Sequence, residues 1–168
     1  MIECFALQRL SLWQRDVFLL QESLQTAELM VSITGQALSS NREFLLPALL
    51  PDASWLSDQT LLLHAFKVSA HARSGIAARF LGDLPRAIEE REKQIQAAEA
   101  LAVQRPGALA DALGQRALLA RHIGDVRTSI AVLDRQSQHC AEFPTVESIG
   151  IGHRSQAAQA RFLDDWAA

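Results

Sequence analysis

The chain contains few of the residues that mark disordered, disulfide-bonded or membrane-spanning proteins. Its 168 residues include five prolines and eight glycines, too few for a disordered or fibrous chain. Cys4 and Cys140 lie far apart without a CxxC neighbour, so we expect no disulfide. The longest apolar runs, such as residues 61–63, fall far short of the roughly 20 residues that span a bilayer. We therefore expect no membrane segment.

An excess of basic charge is also missing. The net charge is −3 and the isoelectric point is near 5.9, so no positive field would attract nucleic acid, and we expect no nucleic-acid partner. The first residues show no basic segment followed by an apolar stretch, which predicts a cytoplasmic protein without a secretory signal. The hydrophobic content of 49% is enough for a buried core, and the length favours a single folded domain.

Internal similarity is the clearest pattern that is present. Three six-residue segments are alike, and their starts are 42 residues apart (120 minus 78) and then 40 apart (160 minus 120). They read ARFLGD at residues 78–83, ARHIGD at 120–125 and ARFLDD at 160–165. Repetition at this length is typical of one helical hairpin per repeat.

The first two segments contain a Gly-Asp pair that predicts a turn between two helices. Gly82 and Gly124 can adopt the left-handed conformation that commonly ends a helix. Asp83 and Asp125 can then accept hydrogen bonds from the free N–H groups at the start of the next helix. We therefore predict an antiparallel helical hairpin around each pair.

Apolar residues recur at helical spacing through most of the chain, and no stretch alternates as a strand would. The predicted helices cover about residues 5–22, 24–38, 57–81, 84–102, 108–123, 126–141 and 153–166. Between them we predict a connection over residues 41–56, a break at 105–107 and a loop over 143–150.

This pattern resembles the tetratricopeptide repeat (TPR) family, in particular its long-period branch of the kinesin-light-chain type. The closest stretch is residues 105–141, where Pro106, a first helix, the Gly124-Asp125 turn and Ile130 follow in the family's order. A second match covers residues 70–101, and the resemblance extends over about residues 57–166. It implies an all-α fold of TPR-like antiparallel hairpins, stacked in a short right-handed solenoid after an irregular N-terminal helical pair.

The resemblance also implies how a single domain of residues 1–168 is organised. We expect the helical pair at residues 1–40, a connection at 41–56, repeats at 57–103 and 104–145, and a terminal capping helix at 153–168. Alternatively, that last helix opens the next hairpin of a longer array. Exposure of Trp166 would separate the two alternatives.

The same resemblance places candidate binding residues on the concave face of the solenoid. In the family, the position three residues before the Gly-Asp turn faces the groove. In the three similar segments this position holds Arg79, Arg121 and Arg161, and the next position holds Phe80, His122 and Phe162. Guanidinium groups bind carboxylates in a bidentate way, and aromatic rings add a flat apolar anchor, so the expected ligand is an acidic or C-terminal peptide. Alternatively, these arginines pair with acidic residues of adjacent helices and the aromatics pack between repeats.

No pattern typical of a metal, cofactor or catalytic site is present. His64 and His71 are seven residues apart, whereas a helical metal site needs ligands one turn apart. His139 and Cys140 are neighbours along a helix, and successive helix residues do not face each other. The glycines near residue 150 lack the pattern of a phosphate-binding loop. We therefore expect no enzyme, no cofactor and no metal.

The favoured function is an adaptor or scaffold, a protein-interaction module that holds a partner peptide or helix in the concave groove. The alternative is a regulatory or sensor module that binds a small ligand within a signalling or transcription-control system. Self-association is a separate expectation, because Trp13, Trp55 and Trp166 would leave apolar surface that a second copy covers in a homodimer.

Overall fold

The described part of the protein consists of α-helices joined by turns. This computed structural model describes residues 6–11, 14, 19–39 and 59–167, and for residues 59 and 164–167 it describes the backbone only. Those ranges contain no β-strand, which confirms the predicted all-α class. None of the helices within them is long and apolar enough to cross a membrane.

The chain divides into two compact units, Met1–Ala100 and Leu101–Ala168. The first unit contains a helical segment at residues 6–11 and the helices α1 (Leu20–Ser39), α2 (Gln59–Phe80) and α3 (Leu84–Glu99). The second unit contains α4 (Pro106–His122), α5 (Val126–Glu142) and α6 (Val146–Ala167). Each unit thus holds one of the predicted hairpins, α2 with α3 and α4 with α5.

In the first unit, α2 packs against both α1 and α3. A buried cluster of Met30, Leu62, Phe66 and Ala70 joins α1 to α2. Its three α2 members are four residues apart and therefore form one stripe along the helix. Burying a Leu, Met or Phe side chain contributes about 1.5–3 kcal/mol, so this stripe helps to hold α1 against α2.

The first Gly-Asp turn is a Schellman motif followed directly by a helix cap. Gly82 has a φ of 81°. The Asp83 N–H donates to the carbonyl of Ala78 at 2.9 Å, and the Gly82 N–H donates to the carbonyl of Arg79 at 3.1 Å. The Asp83 carboxylate then accepts from the N–H of Arg86 at 3.1 Å and caps α3.

The second turn has the same hydrogen bonds in the same order. Gly124 has a φ of 79°, and its N–H donates to the carbonyl of Arg121 at 3.0 Å. Asp125 donates to the carbonyl of Ala120 at 2.9 Å and accepts from the N–H of Thr128 at 3.0 Å. The predicted turns are therefore confirmed, and the sequence repeat records the residues that this turn requires.

The third similar segment, residues 160–165, does not form such a turn. It has Asp164 in place of the glycine, and α6 continues through it to Ala167. Ala160 is exposed, whereas Ala78 and Ala120, which occupy the same place in the other copies, are fully buried. The third copy thus shares the sequence of the first two without their local structure.

In the second unit, α4 packs against α5 and α6, and α6 also contacts α5. Much of the contact is polar. The Ser129 hydroxyl donates to Gln159 Oε1 at 3.0 Å, and Gln136 Nε2 donates to the carbonyl of Ala110 at 2.6 Å and to Ser155 Oγ at 3.2 Å. Buried polar groups need such partners, so these bonds specify how the three helices align.

The structure corrects the loop predicted over residues 143–150, because α6 begins at Val146 rather than near residue 153. Thr145 and Ser148 form a reciprocal cap. The Ser148 N–H donates to Thr145 Oγ1 at 3.0 Å, and the Thr145 N–H donates to Ser148 Oγ at 2.9 Å. Gly152 is buried within the helix, where an added Cβ would lie 3.3 Å from Cys140 Sγ. This glycine therefore allows close packing of α6 against α5 and is not a loop residue.

Three smaller boundary predictions are also wrong. Pro106 begins α4 instead of breaking the chain before residue 108, because the first helical position needs no N–H partner. Helix α3 ends at Glu99 rather than near residue 102, and a turn follows over residues 100–104. Helix α1 begins at Leu20, directly after the non-helical Leu19, whereas the predicted break lies at residue 23.

Several expectations concern residues that the structure does not describe. They are the connection at 41–56, Cys4, Trp13, Trp55 and the side chain of Trp166. The single domain with its repeat boundaries, the stacking in a right-handed solenoid, the role of the last helix and the homodimer stay predictions.

Candidate binding sites

Arg79 lies in the last turn of α2, next to the ring of Phe80. Its guanidinium carbon is 4.9 Å from the centre of that ring, within the range of a cation–π contact. Phe80 is 60% exposed, so the ring belongs to the surface and not to the core. The Arg79 carbonyl accepts from Gly82, and the turn thereby holds the base of this side chain in place.

Arg121 occupies the equivalent position at the end of α4, but its aromatic partner comes from α6. The guanidinium carbon lies 5.9 Å from the centre of the Phe162 ring. The Nε of Arg121 is buried and makes no hydrogen bond with a described residue. Burial lowers the pKa of the Arg121 guanidinium from its usual value, although an arginine remains charged at neutral pH. Helix α6 therefore covers one face of this cation.

His122 and Arg161 do not share this arrangement. His122 is exposed, and its Nδ1 donates to the carbonyl of Leu118 in its own helix at 2.9 Å. Arg161 is exposed in α6, which continues past it. Of the six predicted binding residues, the structure thus brings together Arg79 with Phe80, and Arg121 with Phe162.

The alternative role for the arginines was pairing with acidic residues of adjacent helices. Neither Arg79 nor Arg121 forms an ion pair with a carboxylate in the described ranges. Both lie where the helix C-terminus carries partial negative charge, and a cation there stabilises the helix by about 0.3–1 kcal/mol. This structural contribution is modest. The guanidinium N–H groups of Arg79 and Arg121 have no carboxylate partner among the described residues.

The first unit contains a pocket of about 390 Å³ between α1, α2 and α3. It is lined by Val31, His64, Lys67, His71, Lys93, Gln96 and Ala97. The three α2 residues are spaced by three and four positions, so they share one face of that helix. Pockets of this size accept small organic molecules, and the basic and amide side chains give this one a polar lining.

A buried hydrogen-bonded pair, His71 with Glu90, lies beside the pocket. His71 and Glu90 are 3% and 8% exposed, and His71 Nδ1 is 2.9 Å from Glu90 Oε2. Lys93 Nζ lies 3.3 Å from Glu90 Oε1 and 2.7 Å from Glu89 Oε1. Burial opposes the ionisation of Glu90, but the hydrogen bond and charge of His71, together with Lys93, hold its pKa below the usual value. Glu90 is therefore an ionised internal partner of the two basic groups.

The other histidine and cysteine positions singled out in the sequence hold helices together. His139 Nε2 donates to the carbonyl of Pro106 at 3.0 Å, which links α5 to α4. The Cys140 thiol donates to the carbonyl of Ser148 at 3.2 Å, and burial raises the pKa of this free thiol. Among the described residues, no group of three or more His, Cys, Asp and Glu side chains is placed to hold a metal ion.

One sequence signal points to the pocket, although the repeat pattern does not. Lys67 and Lys93 are the two lysines of the whole chain, and the other 14 basic side chains (16 minus 2) are arginines. Both lysines line the same pocket. The positions of the two lysines alone therefore indicate this pocket, which the helical periodicity of the sequence does not predict.

Comparisons with known proteins identify no relative of this chain. No family model, no curated protein and no solved structure matches it. The resemblance to the tetratricopeptide family therefore stays a prediction that depends on the sequence pattern.

Proposed function

We propose that this protein is a protein-interaction module that binds acidic or C-terminal peptides of partners, with Arg79 of the first unit and Arg121 of the second unit each acting as a separate carboxylate-binding position. The observation that carries the proposal is that both arginines lie at the same point of a Schellman turn. Each guanidinium carbon lies within cation–π range of an aromatic ring, and neither arginine has a carboxylate partner in the described ranges. We propose no catalytic role.

The stacking geometry suits carboxylate recognition. A guanidinium group binds an aromatic ring through its face and a carboxylate through the N–H groups at its edge. The rings of Phe80 and Phe162 therefore contact the arginines without accepting their N–H groups, and a carboxylate would use the donors other than the buried Nε of Arg121. Phe80, at 60% exposure, also offers an apolar surface beside the charge. A peptide with a carboxylate next to an apolar side chain matches this combination.

The test uses the double variant Arg79→Glu, Arg121→Glu with a charge-matched control. Arg127→Glu with Arg154→Glu changes the net charge equally, at exposed arginines of α5 and α6. Peptides would be selected on wild-type protein from a random library with free C-termini, and their affinity measured by fluorescence polarisation. We expect the control to bind as wild type and the test variant to lose binding while keeping its helical content, with a modestly lower melting temperature because two helix C-termini lose a favourable cation.

A conservative variant refines this experiment. Arg79→Lys with Arg121→Lys keeps the charge but removes both the bidentate fork and the flat stacking surface, so we expect intermediate affinity. Equal loss in the test and control variants would show that only net charge matters. Loss of the fold in the Glu variant alone would instead assign the arginines a structural role.

The sensor function, which is the alternative expectation from the sequence, needs a concave site for a small molecule. The pocket between α1, α2 and α3 supports that second candidate, because it is lined by both lysines and is large enough for a metabolite.

A further inference from the structure

Lysine is used in this chain at two positions, and both are in one pocket. All other basic positions are arginine, including exposed ones such as Arg127 and Arg154. An arginine side chain stabilises helix C-termini and binds planar carboxylate groups. A lysine ammonium is a compact charge whose three N–H donors can rotate toward a ligand. The placement of Lys67 and Lys93 therefore distinguishes this pocket chemically from the rest of the chain.

The helical spacing brings the two ammonium groups to one pocket from opposite helices of a hairpin. Lys67 is on α2, on the same face as His64 and His71, and Lys93 is on α3 together with Gln96. Val31 of α1 and Ala97 of α3 add apolar lining. The pocket thus combines cations and hydrogen-bonding groups with a small apolar wall.

The carboxylates that the structure describes near the pocket contact Lys93 and His71 and not Lys67. Glu90 is shared between His71 and Lys93, at 2.9 and 3.3 Å. Glu89, the second partner of Lys93, has a side chain that is 64% exposed, and an exposed ion pair of this kind is weak. Lys67 forms no ion pair with a described carboxylate. An incoming anion therefore meets the Lys67 ammonium, which has no described carboxylate partner, and the Lys93 ammonium, which already contacts Glu89 and Glu90.

We propose that this pocket binds a small organic dianion, a phosphate monoester or a dicarboxylate, between the ammonium groups of Lys67 and Lys93. Gln96 supplies an additional hydrogen-bonding group, and Val31 and Ala97 contact a short apolar portion of the ligand. Charge-assisted hydrogen bonds to two ammonium groups are the source of affinity. The volume of about 390 Å³ limits the ligand to metabolite size.

The lysines act as charges in this site and not as nucleophiles. The hydrogen bond from Lys93 to Glu89 outweighs burial and raises the pKa of its ammonium group, so Lys93 stays protonated at neutral pH. A lysine that forms covalent adducts needs the opposite shift. Reversible, salt-sensitive binding is therefore expected.

The pair of lysines also provides a direct probe. Reductive methylation with ¹³C-formaldehyde labels their side chains and the α-amino group of the full-length protein while keeping the positive charge. The probes are inorganic phosphate and succinate, each titrated to about 10 mM, roughly tenfold above a millimolar dissociation constant. Sodium chloride of equal ionic strength is the control. We expect both lysine signals to shift along one saturating curve with phosphate or succinate and not with chloride.

Variants then test the assignment by calorimetry on unlabelled protein. We expect Lys67→Gln to weaken binding about tenfold or more, since it loses one charge-assisted hydrogen bond. Lys67→Arg should retain part of the affinity, because it keeps the charge but not the compact ammonium group, and Arg127→Gln, a charge-matched change in the second unit, should retain all of it. A preference for phosphate would identify phosphate monoesters as the ligand class, and a preference for succinate would identify dicarboxylates.

Two results would overturn the proposal: linear, unsaturated shifts with both anions, or equal affinity in Lys67→Gln and wild type. Either result leaves the peptide-binding proposal intact, because that proposal depends on Arg79 and Arg121 and on none of the pocket residues. Retention of peptide binding in the arginine variants would refute the peptide-binding proposal and would likewise leave the anion site standing.

Discussion

Gly82→Ala is expected to destabilise the first unit by about 1 kcal/mol. Gly82 has a φ of 81°, a conformation in which a side chain costs roughly 1–2 kcal/mol. Removing the freedom of glycine from the unfolded chain offsets about 0.4–1 kcal/mol of that cost. An added Cβ would meet no atom within 4 Å, so no steric clash contributes. The net effect therefore measures the backbone conformation of the turn alone.

The same substitution at Gly35 is the matched control. Gly35 lies in the interior of α1, and an added Cβ there also meets nothing within 4 Å. Its backbone is helical, so Gly35→Ala is expected to stabilise the first unit by roughly 0.5–1 kcal/mol. Gly82→Asn should cost less than Gly82→Ala, because asparagine enters the left-handed region more readily. Two identical chemical changes in one unit are thus predicted to have opposite signs.

Urea unfolding followed by far-UV circular dichroism measures these differences. With a slope of about 1–3 kcal/mol per molar urea, a change of 1 kcal/mol moves the midpoint by roughly 0.3–1 M. A midpoint for Gly82→Ala at or above that of wild type would refute the reasoning. It would mean that residue 82 is not held in the left-handed conformation. The Schellman turn would then not be what positions Arg79.

Further predictions concern the buried pair of His71 and Glu90 and the cap of α6. Glu90→Gln should lower the free energy of unfolding by about 1.5–3 kcal/mol at neutral pH, because a hydrogen bond to a charged group is lost. The pKa of Glu90 is held below 4.5. The difference in unfolding free energy between Glu90→Gln and wild type should therefore persist above pH 4.5 and shrink as the pH falls below it. Urea midpoints measured across this pH range would report the change. Ser148→Ala should cost about 1–2 kcal/mol, since Ser148 Oγ accepts from Thr145 N–H and donates to the Phe143 carbonyl. An unchanged midpoint would show that α6 does not need this cap.

The hairpin turns could be predicted because every interaction in them is local. The bonds from Asp83 to Ala78 and from Asp125 to Ala120 each span five residues, and glycine and aspartate are needed at set places. The cap of α6 is local too, but it escaped prediction because serine occupies the place where a capping box usually has Glu or Gln. The glycines of α6 then favoured a loop, although Gly152 serves close packing against Cys140.

The candidate sites could be predicted only in part, because their components lie far apart along the chain. The arginines follow from the repeat, but the contact of Arg121 with Phe162 joins residues 41 positions apart (162 minus 121) and depends on how α6 packs on α4. The same holds for the pocket, whose lining comes from three helices between Val31 and Ala97. Helical periodicity places each of these residues on a face without identifying the helix that covers it.

By itself, the sequence determined the all-α class, the two Gly-Asp turns and the positions of the arginines, because helix periodicity and turn chemistry act over a few residues. Tertiary structure decided which aromatic ring lies against Arg121, that residues 160–165 continue a helix, and that both lysines line one pocket. These outcomes depend on packing between helices distant in the chain. In packing, small differences in side-chain size and hydrogen bonding select one arrangement from many that local preferences allow.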